Sequence, residues 1–429
     1  FGTQLMRPPE NGAEPAEMES ALVCLVLNRG PDGKSRFEQR WQVRSRLLDT
    51  DPPAAFEGAP VVQGGRLLVA RSRFDGRQTI VAVECYDADS GAKGEPPARR
   101  WRQEVWSAEL PADPPRRRHD LLTLAGSNVV YCTHSGLIVA LDAATGRRVW
   151  AYRYPVATRQ PPDGVHPRDL SPCVYAEGRI YAAPSDGDRI FCLDARTGEG
   201  IWESNTAHVV QMLGVSNGRL VVTLGGFPHG IRAYHSARGN VLWTRPDVGD
   251  LGTFGRGFLS DSLIFWPTRH GLRVLRQDDG DPVHVGSSSA PLGHLALAGG
   301  LLVVTTPTEI LGFLPPRQAL DERHREALER PNSAETLYRL ALAQADAGES
   351  IAASETFRRA GQLAGDPSLR ESCERRRAEL LEHRAIERWH RRRHDEALGL
   401  LHELSSPPHP IAERVRAWEQ RRLAGDTTF

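Results

Sequence analysis

The feature that most constrains the fold is a turn followed by a β-rich strand, which recurs six times in residues 1–316. The copies read GRLLVA, SNVVYC, GRIYAA, GRLVVT, SLIFW and GLLVV. Their first strand residues, at positions 67, 129, 180, 220, 263 and 301, are separated by 62, 51, 40, 43 and 38 residues. A period of about 40–50 residues is typical of β-propeller blades, and loop insertions account for the two longest intervals. The first part of the chain is therefore predicted to be a radial array of small antiparallel sheets.

A second element follows most of these strands and consists of an apolar strand, a polar turn and a strand that carries tryptophan. In VALDAATGRRVW, Asp142 begins the turn, where its carboxylate can accept hydrogen bonds from the backbone just ahead. Gly146 supplies the positive φ that such turns commonly need, and Trp150 lies on the returning strand. The corresponding residues in FCLDARTGEGIW and RAYHSARGNVLW are Asp194, Gly198, Trp202, Gly239 and Trp243. A large indole that recurs once per unit is predicted to lie between neighbouring sheets.

The spacing A-x-D-x-x-T-G-x-x-x-W, met by residues 140–150, resembles the tryptophan-docking repeat of PQQ-like, quinoprotein-type β-propellers. The second copy has Cys192 in the alanine place, and the third keeps only Ala233 and the Gly–Trp pair. The resemblance implies a propeller of four-stranded blades over residues 21–314. Six units and a leading half-blade with Trp41 are visible, so the ring is expected to have seven or eight blades, complete or incomplete. Closure into six blades, with the Trp41 strand completing the last unit, is the alternative.

The composition changes after this array. Only five of the 40 glycines, at positions 348, 361, 365, 399 and 425, lie in residues 317–429, which are rich in Ala, Leu, Arg and Glu. This change predicts three regions: a loose N-terminal segment (1–20), the propeller (21–314) and an all-α segment (315–429).

The helical segment contains AETLYRLALAQADAGESIAASETFRRA, which resembles a tetratricopeptide (TPR) repeat. In such repeats small residues permit close helix approach, and glycine starts the turn between the helices. The residues that carry the resemblance are Leu337, Leu340, Ala341, Gly348, Ala353, Phe357 and Ala360.

Several candidate sites have structural explanations instead. Gly214–Gly218 spells the G-x-S-x-G pattern of hydrolases, but the repeat places Ser216 in a hairpin turn. The six cysteines include no C-x-x-C and no adjacent pair, and only a Cys173–Cys192 disulfide within one blade stays open. His390 and His394 have a metal-compatible spacing, but three arginines separate them. We therefore predict no catalytic, cofactor-binding or metal-binding residue.

Charge and hydropathy exclude further classes. Lys plus Arg (54) equal Asp plus Glu (54), which argues against a nucleic-acid or anionic-membrane surface. The longest purely apolar run, residues 21–27, is far shorter than the roughly 18 residues of a membrane helix. The first residue is Phe, so we expect that a leader was removed or that the chain is part of a longer product.

The sequence predicts a non-catalytic protein-interaction scaffold with protein partners and no bound cofactor. Partner binding is expected in loops 107–119 and 152–169, which interrupt the repeat. Two alternatives remain: a PQQ-dependent oxidoreductase with cofactor ligands partly in an absent N-terminal portion, and the sensor portion of a larger signalling protein. The family resemblance implies an extracytoplasmic location.

Overall fold

A computed structural model describes two compact units of the chain, Phe1–Ala296 with Val304–Ile310, and Leu297–Val303 with Leu311–Phe429. The described residues are 2–5, 20–29, 35–44, 54–74, 78–91, 95–109, 121–156, 171–206, 209–225, 230–246, 253–269, 271–285, 292–298, 301–306, 308–402, 420 and 423.

The strands form seven antiparallel sheets in this part of the chain, five with four strands and two with three. Sheet 1 contains β1 (Gly2–Leu5), β2 (Ser20–Arg29) and β3 (Ser35–Arg44). Sheet 2 contains β4 (Ala54–Gln63), β5 (Arg66–Phe74), β6 (Gln78–Asp87) and β7 (Arg99–Glu109). Sheet 3 contains β8 (Leu122–Ala125), β9 (Asn128–Cys132), β10 (Leu137–Asp142) and β11 (Arg148–Arg153). Sheet 4 contains β12 (Val174–Ala176), β13 (Arg179–Ala182), β14 (Arg189–Asp194) and β15 (Gly200–Asn205).

The remaining sheets continue the same order along the chain. Sheet 5 contains β16 (Val209–Ser216), β17 (Arg219–Leu224), β18 (Gly230–His235) and β19 (Val241–Pro246). Sheet 6 contains β20 (Phe258–Leu259), β21 (Leu263–Thr268), β22 (Gly271–Arg276) and β23 (Pro282–Val285). Sheet 7 contains β24 (His294–Ala298), β25 (Leu301–Thr305) and β26 (Ile310–Phe313).

One hydrophobic core lies between each pair of consecutive sheets from sheet 1 to sheet 6. Alternate residues of a middle strand enter opposite cores: Val129 and Tyr131 face sheet 2, whereas Val130 and Cys132 face sheet 4. Middle strands are therefore buried on both faces, which explains their continuous apolar runs. The first strands β4, β8, β12, β16 and β20 contact one another in this order. Sheets that stack face to face with their first strands together form a β-propeller, as predicted.

The strand that recurs in the sequence is the second strand of sheets 2 to 7, and β5 is its first copy. In each of these sheets another strand precedes the turn. The Trp41 strand pairs with β2, and β26 pairs with β25. The number of blades and the way the ring closes stay predictions. Residues 2–5 form a strand instead of belonging to a loose segment, because their backbone pairs with residues 20–23.

The helical part contains five helices over residues 316–402. They are α1 (Pro316–Glu329), α2 (Ala334–Asp346), α3 (Ser350–Leu363), α4 (Pro367–His390) and α5 (His394–His402). Ser333 begins α2 by accepting a hydrogen bond from the Thr336 backbone N–H. Helix α4 ends at His390 and α5 begins at His394, so the two histidines lie in different helices. None of the helices described is long and apolar enough to cross a membrane.

The residues that resemble a TPR repeat lie in and between α2 and α3. The apolar members are all buried: Leu337, Leu340, Ala341, Ala353, Phe357 and Ala360. Gly348 lies in the connection with φ +84°, a conformation that favours glycine. The two helices therefore pack through the faces that carry the spacing.

Candidate functional site

The turn that begins at Asp142 has the local geometry that its sequence predicts. Asp142 Oδ1 accepts hydrogen bonds from Thr145 N (2.8 Å), Thr145 Oγ1 (2.7 Å) and Ala144 N (3.1 Å). These bonds, led by the Thr145 hydroxyl, lower the pKa of Asp142. Asp194 makes the same set of contacts in the next sheet, so both carboxylates hold their turns closed.

The tryptophan of each unit reaches forward to the turn of the next sheet. Trp150, 7% exposed, lies against Gly198, where a methyl group would be only 2.6 Å from Trp150 Cδ2. Trp150 Nε1 donates to the backbone oxygen of Ala195, 2.9 Å away. Gly198 has φ +75°, so glycine satisfies both the backbone and the close approach of the indole.

This contact recurs at five successive junctions. The tryptophan–glycine pairs are Trp41–Gly91, Trp101–Gly146, Trp150–Gly198, Trp202–Gly239 and Trp243–Gly280. In the last four, the indole N–H donates to a backbone oxygen in that turn, of Ala143, Ala195, Ser236 and Gln277 respectively. Sheets 1 to 6 are therefore joined in sequence by one type of contact.

The small residues before each turn have a cross-strand explanation. Ala140 pairs directly with Trp150, and Cys192 pairs directly with Trp202. A small side chain opposite the indole leaves space for it within the sheet. Burial raises the pKa of Cys192 to about 12 and that of Cys85, which pairs with Trp101, to about 11. These two thiols are packing groups.

Sequence reasoning missed a cleft between sheets 2 and 3. Its volume is about 770 Å³, within the range of ligand-binding pockets. Lining residues include Trp106 and Glu104 from β7, Leu137 from β10, and Arg148 and Arg153 from β11. The predicted binding loops lie largely outside the described residues, in 110–120 and 157–170. No repeat or motif signals this cleft, because it forms only where two sheets meet.

A buried charged network in sheet 2 was also not predicted. Glu84, fully buried, pairs with Arg71 at 3.1 Å and accepts a short hydrogen bond from the Tyr86 hydroxyl. Arg99 and Arg102 lie 3.6 and 3.8 Å from the same carboxylate. Burial and the neighbouring Glu84 raise the pKa of Tyr86. Such a network needs all its partners, since a buried carboxylate without them is strongly destabilising.

The third missed feature is a cluster of polar and thiol groups between sheets 3 and 4. Cys132 and Cys173 belong to one buried core cluster. His134 Nδ1 accepts from Ser185 N (2.9 Å), and the Tyr154 hydroxyl donates to Asp186 (2.8 Å). Cys173 and Cys132 therefore share the core between sheets 3 and 4, which repeat spacing could not reveal.

The described cysteines and acidic groups bear on whether a quinone cofactor could bind. The six cysteines are non-adjacent, free and buried. A quinone cofactor needs a metal ion that polarises its reactive carbonyl. Within the described ranges, no group of three or more His, Cys, Asp or Glu side chains could hold a metal ion. The described groups therefore do not supply the metal site that such a cofactor needs.

The repeat region of this chain is similar to several known proteins. A profile of the family described as outer membrane protein assembly factor BamB matches residues 38–161 and 163–308. Serine/threonine-protein kinase AfsK of Streptomyces coelicolor is 32% identical over 216 residues, 48% of this chain and 22% of that protein. The alcohol dehydrogenase (quinone) dehydrogenase subunit of Gluconacetobacter polyoxogenes is 30% identical over 132 residues, 27% of this chain and 18% of that protein. BamB from Moraxella catarrhalis, a solved structure, has a TM-score of 0.47 and 19% identity, covering 68% of this chain and 80% of that one.

These relatives correct one expectation. The sequence led us to predict no cofactor, but several relatives are named as quinone or quinoprotein alcohol dehydrogenases. The same repeat therefore occurs in proteins that are named for a quinone cofactor. The prediction of no cofactor, which we drew from the repeat, is wrong. The chain spans about a fifth of the length of the curated relatives compared here.

The family profile covers more than half of the 429 residues and includes all the strands of sheets 2 to 6. The chain therefore belongs to the family described as outer membrane protein assembly factor BamB, and its PQQ-like repeats build the propeller.

Proposed function

We propose that this chain is a non-catalytic protein-interaction scaffold, and that the cleft between sheets 2 and 3 receives an extended acidic segment of a partner protein. The observation that carries the proposal is the pair of exposed arginines, Arg148 and Arg153, beside the half-buried Trp106. Tryptophan and arginine are the side chains most often found at energetic centres of protein interfaces.

Charge complementarity selects the occupant. Glu104, the carboxylate of the cleft, already pairs with Arg73 (3.6 Å) and Arg102 (3.5 Å). Arg148 and Arg153 pair with no carboxylate among the residues described, so the cleft offers two positive charges. β11 is also the edge strand of sheet 3, and an extended segment can add to such an edge through its backbone.

A charge-reversal experiment tests this proposal. Full-length chain is screened against extended peptides rich in Asp and Glu with one Trp or Leu. The double variant Arg148→Glu, Arg153→Glu should lose at least about 10-fold in affinity for the selected peptides. Arg147→Glu is the matched control, because Arg147 is an exposed neighbour that does not line the cleft. Selection of no peptide, or equal losses in both variants, would contradict the proposal.

We also propose three features that support a scaffold. Trp150, Trp202 and Trp243 act as blade-docking residues, supported by their indole hydrogen bonds. The helices form a TPR-like segment from about residue 315, supported by the buried α2–α3 face. An extracytoplasmic location is supported by the family description, which names outer-membrane assembly.

A second candidate is a quinone-dependent oxidoreductase, favoured by the dehydrogenases among the relatives. Calorimetric titration with PQQ and Ca²⁺, together with dye-linked alcohol oxidation, separates it from the scaffold. Stoichiometric binding with Kd below about 1 μM, roughly −8 kcal/mol, would promote this candidate.

The third candidate, the sensor portion of a signalling protein, is favoured by the similarity to the kinase AfsK. A kinase-type catalytic domain encoded in the same full-length gene product would support it. A gene product without any effector domain would oppose it.

A further inference from the structure

We propose that the partner segment carries two carboxylates four residues apart with an apolar residue midway, and that it pairs antiparallel with the outer edge of β11. This inference rests on the function proposed above and specifies the sequence pattern of its partner. The observation that carries it is a β-bulge in β11, which brings Arg148 and Arg153 to the same side of the strand.

The bulge decides which side of β11 carries Arg148. Side chains alternate along a regular strand, so Arg148 would otherwise share a face with Trp150, which packs into the core between sheets 3 and 4. Consecutive residues of β10 pair with Trp150 and Arg148, which leaves Val149 as the extra residue of the bulge. Arg148 therefore lines the cleft together with Arg153.

The neighbouring strand β10 shows how far apart the cleft-lining residues of β11 are. Its alternate residues pair with the three cleft-lining residues of β11, and the pairs are Leu137–Arg153, Val139–Ala151 and Leu141–Arg148. A regular strand therefore passes from one arginine to the other in four residues, a distance of about 13 Å. A partner strand on the opposite edge of β11 meets the same positions with the same spacing.

This spacing fixes which residues of the partner face the cleft. Residues k, k+2 and k+4 of a strand share one face, because successive side chains alternate. Carboxylates at k and k+4 therefore oppose Arg153 and Arg148, and opposite charges that face each other across two strands attract. The residue at k+2 opposes Ala151, whose small side chain leaves room for an apolar group.

The surroundings of β11 fit this occupant. β11 is the outer strand of sheet 3 in the part of the chain that the structure describes, and both of its arginines are exposed. Val105 and Trp106, both half-buried, line the same cleft from β7 and supply apolar surface. The strands of sheet 3 pair antiparallel, and a strand that continues this pattern places its N-terminal carboxylate beside Arg153.

Binding of labelled peptides to the full chain tests the spacing. The probes are nine-residue peptides of threonine and serine with valine at position five and two aspartates, at positions three and seven or at positions three and six. The second peptide has the same composition and charge, but one aspartate lies on the opposite face. Fluorescence anisotropy should show about 3- to 5-fold weaker binding of the second peptide, because one cross-strand charge pair is lost.

The outcomes separate this inference from the proposed function. Equal affinities for the two peptides would overturn the spacing but would leave an acidic partner in place. If neither these peptides nor any other acidic peptide binds, the proposed function is wrong and this inference with it.

Paired substitutions test the direction of the partner strand. Arg153→Gln and replacement of the first aspartate by asparagine should each weaken binding of the first peptide about 5-fold, and together still only about 5-fold, because both remove the same pair. Arg153→Gln with replacement of the second aspartate should multiply to about 25-fold. Arg148→Gln should show the reverse pattern. Multiplied losses for Arg153 and the first aspartate would overturn the antiparallel pairing.

Arg147→Gln is the matched control, because Arg147 is an exposed neighbour that does not line the cleft. It should bind the first peptide as tightly as wild type does and keep the preference for that peptide. Equal weakening by Arg147→Gln and Arg148→Gln would show that only overall charge matters, which would overturn the inference.

Discussion

The sheet unit and the helical unit each join repeated elements by packing a large aromatic side chain against small residues, but only the sheet contact adds a hydrogen bond from the ring. Across a sheet junction the largest side chain meets the smallest, as in Trp150 against Gly198, and a hydrogen bond fixes the indole. Between α2 and α3, Ala341 and Ala353 pack with Phe357 as one buried cluster. The sheet contact therefore depends on direction and backbone conformation, whereas the helix contact depends on shape alone.

The largest expected effect is the loss of an indole from a sheet junction. Trp150→Ala should lower the free energy of unfolding by about 3–5 kcal/mol through the cavity. The Ala195 oxygen also loses its donor, which should add about 1 kcal/mol. Chemical denaturation followed by circular dichroism measures this.

The neighbouring Val149→Ala, at a residue 45% exposed, should change stability by less than about 0.5 kcal/mol. Equal effects of Trp150→Ala and Val149→Ala would show that the contact at the sheet junction makes no special contribution to stability.

The helical counterpart is Phe357→Ala. Phe357 is 1% exposed and contacts Tyr338 with ring centroids 5.6 Å apart, so its loss should cost about 3–5 kcal/mol without a hydrogen-bond contribution. Thermal and denaturant unfolding of the full chain measure it. Ile351→Ala, 69% exposed in the same helix, is the control and should be nearly neutral. A loss below about 1 kcal/mol at Phe357 would mean that shape packing is not what holds these helices.

A third experiment separates the two roles of glycine in the sheet unit. Gly198→Ala introduces both strain at φ +75° and a clash with Trp150, so we expect a loss of about 2–4 kcal/mol. Gly178 has nearly the same φ, +72°, but open space around it, so Gly178→Ala should cost only about 1 kcal/mol. Denaturant midpoints of the two variants measure the difference. Identical losses would show that only backbone conformation matters there.

The smallest effect is expected in the turn. Asp142→Ala should cost about 1 kcal/mol near neutral pH, because the carboxylate accepts three hydrogen bonds. Hydrogen bonds lower the pKa of Asp142 in the folded state, so its contribution is complete above the ordinary pKa of 3.8. It is lost as the pH falls through the lower folded-state pKa.

Urea denaturation across this acidic range should show the difference between wild type and Asp142→Ala disappearing. Glu199→Ala changes an exposed residue of the next turn, and its free energy of unfolding should be almost the same as that of wild type at any pH. A difference for Asp142→Ala that persists in strong acid would contradict this account.

Local contacts explain why much of the sheet unit could be predicted. Asp142, Thr145 and Gly146 form their turn within five residues, so hydrogen-bonding preference and positive φ are readable in the spacing. The α2–α3 spacing is likewise local. The first strands of sheets 2 to 6 were not identified; β12, with three residues, is too short to carry a pattern, whereas β4, with ten, was missed because the repeat is marked by the turn that follows it.

Contacts between sheets explain what was missed. Trp150 is eight residues from Asp142 but makes its hydrogen bond 45 residues away, and Cys132 shares a core with Cys173. The cleft of Trp106, Arg148 and Arg153 likewise combines two sheets.

Repeat period, turn chemistry and the change from sheets to helices are thus properties of the chain read along its length, because each depends on neighbours a few residues apart. How the sheets stack decides which indole meets which glycine, which thiols share a core, and where two arginines lie beside a tryptophan. Stacking is a contact between distant segments, and residue spacing along the chain carries no record of it.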